Sequence, residues 1–310
     1  MLPLIEDRDP FERAVSPLRE IGAYESLWLE KGAGFKSIAD RFRHDPSALP
    51  SDFVSAEVAY EAAHKVTRIF KNSGIENFGI RVRGAGEYPK RLLDADHPIE
   101  LLYYQGWWDL VNTPCVAVVG SRKATPHGIK RTQQLVTGLV EAGFTIVSGL
   151  AEGIDRAAHD AAIKAGGQTI SVLGTPLHNN YPKANAELQK LIAEKYLVIS
   201  QVPVLRYGLG NPRSNRFFFP ARNITMSALT SATVIVEASD TSGTMHQARA
   251  ALKQGRKLFI LKSCLENKEI SWPTKFLKRG AVLVQSVSDV TGNLDDKIRP
   301  ATANRRTNPL

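Results

Sequence analysis

Cysteine is scarce in this sequence: among 310 residues there are two, Cys115 and Cys264, far apart and flanked by apolar residues. Two unclustered cysteines exclude a disulfide framework and a cysteine-based zinc site. No apolar run approaches the ~18 residues of a membrane-spanning helix, and the first residues include early acids instead of the apolar core of a secretory signal. We therefore expect a cytoplasmic globular protein with no membrane segment and no metal, in which both cysteines are core residues.

Acidic residues are sparse in the middle and C-terminal parts of the chain. Residues 1–115 hold 14 basic and 18 acidic residues, whereas residues 116–222 hold 13 and 6, and residues 223–310 hold 13 and 7. The formal net charge of +9 therefore comes from the second and third segments. A basic excess of this kind suits a polyanionic partner, although a solvated basic surface has the same composition.

The apolar pattern changes along the chain and predicts its organisation. Residues 1–74 carry apolar residues at three- and four-residue spacing, which is typical of a small helical domain. From residue 115, short Val- and Ile-rich strands alternate with amphipathic helices, so we expect a doubly wound, mostly parallel, Rossmann-like α/β sheet. We assign this α/β domain to residues 75–285, with 75–114 as its lead-in, and expect a flexible basic tail over 286–310.

The ends of the predicted strands carry the residues suited to ligands, because open α/β sheets bind at their carboxyl edge. The first parallel strand ends at Gly120, followed by Ser121 and Arg122. This turn offers amides, a hydroxyl and a guanidinium to a phosphate, although Ser121 could instead cap the next helix. A G-x-G-x-x-G dinucleotide motif is missing.

Later strand ends add glycines and cations. Gly149 and Gly153 allow close backbone approach, and Asp155 is expected to cap the following helix. His159, four residues further on, is most simply a packed helix residue. Lys183 and Asn185 follow the next strand, and Ser242, Gly243 and Thr244 open a later helix at its positive end, where the hydroxyls could also serve as caps.

A long segment over 202–223 contains four arginines and no acid. Phe217, Phe218 and Phe219 lie among these arginines, and basic residues beside aromatics suit single-stranded nucleic acid. The simpler alternative is a Phe run that packs in the core, and we expect at least two of the three rings to be buried.

Five motifs together resemble the DprA/Smf family of DNA-processing proteins. They are Gly-Ser-Arg at 120–122, SGLAEGID at 148–155, VLG followed by YPKAN at 172–185, FPARN at 219–223 and Ser-Gly-Thr at 242–244. The resemblance covers residues 75–265. It implies a Rossmann-like domain that binds single-stranded DNA, dimerises and hands the strand to a RecA-type recombinase, without catalytic residues, cofactor or metal.

Carried over residue by residue, the resemblance implies that Arg122 and Lys183 contact DNA. It implies secondary contacts from Gly120, Ser121, Asn185, Phe219, Arg222 and Asn223. The phosphate-facing loops would be formed by Gly149, Gly153, Ser242, Gly243 and Thr244.

Other readings stay open at this point. A nucleotide-binding enzyme or sensor of the related lysine-decarboxylase-like group could share the fold, although its PGGxGTxxE signature is absent. The sequence also departs from the DprA pattern, with Ile224 in place of a usual arginine and Glu152 in place of a usual basic residue. This divergence motivates a third hypothesis, a DprA-like partner of a toxin in phage defence. The acidic helical N-terminus could bind a protein partner in any of these cases.

Overall fold

The computed structural model describes residues 15–294. These residues form a nine-stranded sheet covered by helices on both faces, with three further helices at the N-terminal side. The predicted doubly wound, mostly parallel Rossmann-like fold with a helical N-terminal region is confirmed.

The strands follow one another through helical crossovers. Their bounds are β1 Gly79–Val82, β2 Leu101–Gly106, β3 Cys115–Gly120, β4 Thr145–Ser148, β5 Thr169–Leu173, β6 Leu197–Ser200, β7 Ala232–Glu237, β8 Lys257–Leu261 and β9 Val282–Val284. The sheet order is β1-β2-β6-β5-β4-β3-β7-β8-β9. β3 to β9 are parallel to one another, whereas β2 is antiparallel to both β1 and β6.

Helices cover both faces of the parallel strands, so these strands are buried on both sides and are mostly apolar, with a few buried Thr and Ser residues. The helices are α1 Pro17–Leu29, α2 Phe35–His44, α3 Ala56–Asn72, α4 Pro126–Glu141, α5 Ile154–Lys164, α6 Ala186–Lys195, α7 Val204–Leu209, α8 Phe218–Leu229, α9 Thr244–Lys253, α10 Lys262–Glu266, α11 Trp272–Leu277 and α12 Val287–Gly292. Within the described range, none is long and apolar enough to cross a membrane.

The N-terminal helices pack directly on the antiparallel edge of the sheet. α1 and α3 approach so closely that a Cβ on Gly22 would lie 1.6 Å from the carbonyl oxygen of Ala59. Glu25 of α1 is fully buried and accepts a hydrogen bond of 2.6 Å from the Tyr103 hydroxyl of β2. Glu25 also accepts the first amides of α7, from Val204 and Leu205. Burial raises the pKa of Glu25 to about 7, although these hydrogen bonds oppose the shift.

Both cysteines lie in the core, as predicted. Cys115 and Cys264 are buried, and burial raises the pKa of their thiols to about 11 and about 12. Thiols held in this protonated form are poor nucleophiles, so both act as small apolar residues.

The prediction of a flexible tail is wrong for residues 286–294. Ser286 caps α12 by accepting from the Asp289 amide, and Val290 and Leu294 are buried. Residues 286–294 are therefore a capped, packed helix, because their apolar positions cover α4 and the end of the sheet. The remainder of the predicted tail lies outside the described residues.

Candidate nucleic-acid interface

The sheet has one topological switch point, between β3 and β7. From β3 the chain proceeds through β4, β5 and β6 on one side, and then returns to place β7 on the other. Crossovers of opposite direction leave a crevice at the carboxyl ends of the two strands. A cleft of about 880 Å³ lies there, and we call it the switch-point cleft. Its walls include Gly120, Ser121, Arg122, Asp155, Arg222, Asn223, Glu237, Ser242, Gly243 and Thr244.

The Gly-Ser-Arg turn after β3 is fixed from two sides. The Ser121 amide donates to the Glu237 carbonyl at 2.6 Å, and the Ser121 carbonyl accepts from the Ile154 amide at 3.1 Å. Gly153 has φ of +73°, and a Cβ there would lie 2.3 Å from the Ser121 carbonyl oxygen. Only glycine satisfies both constraints. These contacts hold the turn in one conformation, and the side chain of Arg122 is exposed on it.

Ser121 does not cap the following helix. Its hydroxyl accepts from the Lys123 amide at 3.1 Å, while Thr125 caps α4 by accepting from the Gly128 amide at 3.0 Å. The Glu237 carboxylate supports this cap, since it accepts from the Thr125 amide and hydroxyl at 3.0 and 2.6 Å. A carboxylate at the positive end of a helix is stabilising.

A cation and two aromatic rings meet beside the cleft. The Arg122 guanidinium lies 5.6 Å from the centroid of the Phe219 ring, and the Tyr181 ring lies 5.5 Å from the same centroid. We call these three residues the cation–aromatic cluster. Tyr181 is 50% exposed. A Cβ on Gly174, after β5, would lie 2.5 Å from the Phe219 ring, so the ring can pack this closely only because residue 174 is glycine.

The prediction that at least two of the three phenylalanines are buried is wrong. Only Phe218 is buried, in contact with Trp28 of α1 at 5.9 Å between ring centroids. Phe217 is exposed and Phe219 is half-buried. The reason is that α8 begins at Phe218, so successive residues point in different directions around the helix and only one can enter the core.

Lys183 and Asn185 occupy different environments although they share one helical turn. Lys183 is exposed, two residues after Tyr181 of the cluster. Asn185 is buried: its amide donates to the Leu150 carbonyl at 2.9 Å, and its oxygen accepts from Arg156 at 2.8 Å. Leu150 has a positive φ of 58°, unusual for a residue other than glycine. Asn185 therefore holds the β4–α5 turn.

Arg222 and Asn223 are also internal. The Arg222 guanidinium donates to the carbonyls of Gly149 and Val172, the latter at 2.8 Å, and to the Asn223 oxygen at 2.8 Å. Asn223 in turn donates to the Gly243 carbonyl at 3.0 Å. Through α8, these bonds join the ends of β4 and β5 to the start of α9. The Arg222 guanidinium is thus held by groups of the protein itself, and its contact with DNA stays a prediction.

Asp155 faces Arg222 and is buried as well. Burial raises the pKa of Asp155, and the positive charge of Arg222 opposes that shift. The predicted N-cap role is wrong in detail, because Gly153 is the N-cap of α5 and Asp155 lies in its first turn, where it accepts from the Ala151 amide at 3.4 Å. His159 is a packed core residue, as predicted.

The start of α9 forms the opposite wall of the switch-point cleft. The Ser242 hydroxyl accepts from the Thr244 amide at 3.2 Å and bonds the Thr244 hydroxyl at 2.9 Å. Ser242, Gly243 and Thr244 thus lie at one wall, with Gly120 at the other. No group of three or more metal-ligating side chains occurs in residues 15–294.

Sequence reasoning missed the part that Tyr181 has in this site. In the sequence, Tyr181 was noted only as the first residue of the YPKAN motif. Nothing in the sequence indicated that it contacts Phe219, which lies 38 residues later. The available signal was an aromatic residue close to a lysine on a strand-end loop, which is typical of single-strand contacts.

Comparison with known proteins gives consistent matches. The model of a family described as DNA recombination-mediator protein A matches residues 80–295. The DNA processing protein DprA of Streptococcus pneumoniae is 40% identical over 209 residues, covering 67% of this chain and 71% of that protein. Protein Smf of Synechocystis is 36% identical over 212 residues and is covered over 52% of its length, so this chain spans about half of that relative.

Two solved structures agree with these matches. The X-ray structure of DprA from Streptococcus pneumoniae superposes with a TM-score of 0.64 at 30% identity, covering 90% of this chain and 94% of that one. A DNA processing protein A from Helicobacter pylori, described for its unique single-stranded DNA binding mode, gives a TM-score of 0.58 at 28% identity, covering 70% of this chain and 94% of that one.

Proposed function

This chain belongs to the DNA recombination-mediator protein A family, and we propose that it binds single-stranded DNA at the carboxyl edge of its sheet without catalysing a reaction on the strand. One observation carries the proposal: the exposed Arg122 guanidinium lies against Phe219, which also contacts the half-exposed Tyr181. A nucleic acid strand needs positive charge for its phosphates and flat apolar faces for its bases, and this cluster supplies both.

The residues divide into those that would touch the strand and those that hold them in place. Arg122 and Lys183 would pair with phosphates, because both are exposed cations on strand-end loops. Phe219 and Tyr181 would stack on bases. The buried residues Asn185, Arg222 and Asn223 would act indirectly, by fixing the turns that carry the others.

The remaining predicted residues would shape the contact surface. Gly120, Gly149 and Gly153 permit close approach of the turns, and Ser121 bridges two of them. Ser242, Gly243 and Thr244 would offer hydroxyls and amides at the start of α9 to a phosphate or a base edge.

Single strands would be favoured over duplexes. Stacking on Phe219 or Tyr181 requires the face of an unpaired base, and a base inside a duplex has both faces covered by its neighbours. Each stacked base is worth roughly 1–3 kcal/mol. A duplex would offer phosphates only and would lose this contribution.

An enzymatic reading has little support in the site. Two carboxylates precede the Ser-Gly-Thr segment: Glu237 accepts hydrogen bonds from Thr125 at the start of α4, and Asp240 accepts from the Ser271 and Trp272 amides at the start of α11. A carboxylate committed to a helix cap is a poor general base, so we assign no catalytic residue.

Membership of the family supports a proposal for the cellular role. We place the protein in the cytoplasm as a homodimer that protects single-stranded DNA and passes it to a RecA-type recombinase in recombination or transformation. The division into a helical region, residues 1–74, and a strand-binding domain from residue 75 stays part of this proposal, as does the alternative of a toxin partner.

The test is a fluorescence-anisotropy titration with a labelled oligonucleotide of about 20 nucleotides and its duplex, over a salt series. The variant Arg122→Ala/Lys183→Ala is compared with Lys278→Ala/Arg279→Ala, which removes two exposed cations next to α11. We expect a preference for the single strand, and a salt slope that is smaller by about 0.7 per lost phosphate contact in the first variant only. Equal affinity for both DNA forms, or equal effects of the two variants, would refute the proposal.

A further inference from the structure

A second cleft lies on the opposite side of the domain from α9 and shares no residue with the switch-point cleft. It has a volume of about 860 Å³ and runs beside α6, between the segment 73–77 and the end of β2. We call it the α6 cleft. Its walls include Glu76, Gln105, Trp107, Leu177, His178, Glu187, Gln189, Lys190 and Glu194.

Two buried polar atoms of this cleft have no hydrogen-bond partner in the described part of the chain. Gln189 is only 5% exposed; its amide nitrogen donates to the Leu177 carbonyl at 3.0 Å, which leaves its Oε1 without a donor. Nδ1 of His178 is likewise unpartnered. The Gln189 oxygen is thus a buried acceptor without a donor, which is costly, so a ligand that supplies an N–H group would be stabilised here.

The charged residues that line the α6 cleft favour a positively charged ligand. Glu76, Glu187 and Glu194 are exposed carboxylates, and none forms an ion pair with another residue of the 15–294 range. Lys190 is the one cation among the lining residues. Burial lowers the pKa of His178, so its imidazole is neutral at physiological pH and adds no positive charge. The cleft therefore attracts cations and repels the phosphates of a nucleic acid.

An aromatic face completes the cleft. Trp107 is 63% exposed, which is unusual for so large an apolar side chain. It directly follows Gly106, where φ is +97° and a Cβ would lie 1.9 Å from the Tyr196 carbonyl oxygen. The glycine lets the chain turn sharply against the end of α6, and this turn places Trp107 at the cleft.

We infer that the α6 cleft binds an arginine side chain from a basic segment of a protein partner. The available groups are acceptors, carboxylates and an indole face. A guanidinium has five donors and no acceptor, and its flat faces stack on tryptophan. Lysine matches less well because its ammonium is compact and cannot both stack and fork between two acceptors. This partner site is independent of the DNA contacts proposed above.

The probe for this site is a capped Gly-Arg-Gly-Arg-Gly peptide, titrated into the full chain and followed by the indole N–H signal of Trp107 in NMR spectra. The signal is identified by its loss in Trp107→Leu. Matched peptides carry citrulline, which keeps the shape without the charge, or lysine. We expect saturable shifts with the arginine peptide and at least about tenfold weaker binding of the citrulline peptide.

Two glutamate variants test whether the arginine peptide binds in the α6 cleft. Glu194→Gln should weaken binding of the arginine peptide by about two- to fivefold. Glu141→Gln, which removes an exposed carboxylate at the end of α4, should leave it unchanged. The inference is overturned by absence of a saturable shift up to about 20 mM peptide, by equal binding of the citrulline or lysine peptide, or by equal effects of the two variants. Single-stranded DNA affinity, measured on the same samples, reports separately on the strand-binding proposal.

Discussion

The guanidinium of Arg122 lies 5.6 Å from the ring centroid of Phe219, so the residue that would pair with a phosphate also covers part of the surface on which a base would stack. The contact between Arg122 and Phe219 thus combines a positive charge for phosphates with a flat surface for bases. The two contributions can be measured separately, because some substitutions remove the flat surface and keep the charge.

Arg122→Lys keeps the charge and removes the flat guanidinium. We expect an unchanged salt slope and an affinity for single-stranded DNA about three- to tenfold lower, since lysine cannot stack on Phe219 or form paired hydrogen bonds with a phosphate. The control is Arg279→Lys, whose guanidinium lies 5.7 Å from the ring of Phe276 at α11. Anisotropy titrations at several salt concentrations measure both quantities. A steeper or shallower slope in Arg122→Lys would show that the charge, not the stacking, had changed.

Phe219→Leu keeps an apolar side chain and removes the ring. Loss of one stacked base predicts an affinity for single-stranded DNA lower by about five- to 150-fold, corresponding to about 1–3 kcal/mol, with no change in salt slope. Phe53→Leu is the matched control, because Phe53 is also partly exposed and lies beneath an arginine, Arg41, at 5.7 Å. An affinity within twofold of wild type would mean that bases do not stack on Phe219.

Gly153→Ala tests the fixed turn beneath Arg122. Gly153 and Gly166 have nearly the same φ, +73° and +71°, but a Cβ on Gly166 meets nothing within 4 Å. Both alanine variants should lose about 1 kcal/mol of unfolding free energy from backbone strain. Gly153→Ala should lose more, and should also weaken DNA binding, because its Cβ displaces the Ser121 carbonyl. Urea unfolding and anisotropy test this, and equal behaviour of the two variants would contradict it.

The buried His159 predicts a pH dependence of stability. Its Nδ1 bonds the Thr169 hydroxyl at 2.7 Å, and because that hydroxyl donates onward to the Ile146 carbonyl, Nδ1 of His159 carries a proton and is the donor. Burial, and then the charge of Arg222, lower the pKa of His159 from 6.5 to about 3. The unfolded chain therefore binds a proton that the native protein excludes, and stability falls as the pH drops below 6.5.

The size of this effect follows from the shift. Between about pH 8 and about pH 5, His159 should cost the wild type about 2 kcal/mol of unfolding free energy, and His159→Gln should not show that loss. His44→Gln, at an exposed histidine of α2, serves as the control. The difference between variants in urea unfolding at the two pH values isolates this one group. A wild-type profile parallel to that of His159→Gln would refute it.

Much of the fold could be predicted from the sequence, because the parallel strands are apolar on both faces and glycine turns mark their ends. The turn at Gly120 and the exposed Arg122 were predictable for the same reason. The inward direction of Arg222 was not, since a motif gives residue types but not the carbonyls of Gly149 and Val172 that surround this guanidinium. The pairing of Tyr181 with Phe219 was equally hidden, because it depends on how two loops from different crossovers meet.

The buried carboxylate of Glu25 connects α1, in the N-terminal helical region, to α7, which lies before Phe219. Its carboxylate holds the amides that begin α7, and α7 leads into the arginine-rich segment that precedes Phe219. A carboxylate enclosed in the core is strongly destabilising once its donors are gone. The N-terminal helices are consequently not a module that can be exchanged freely between relatives. A chimera that replaced α1 alone would leave the first amides of α7 without their acceptor, and one that displaced α7 alone would leave the Glu25 carboxyl without these donors. The two segments are therefore expected to be inherited as a pair.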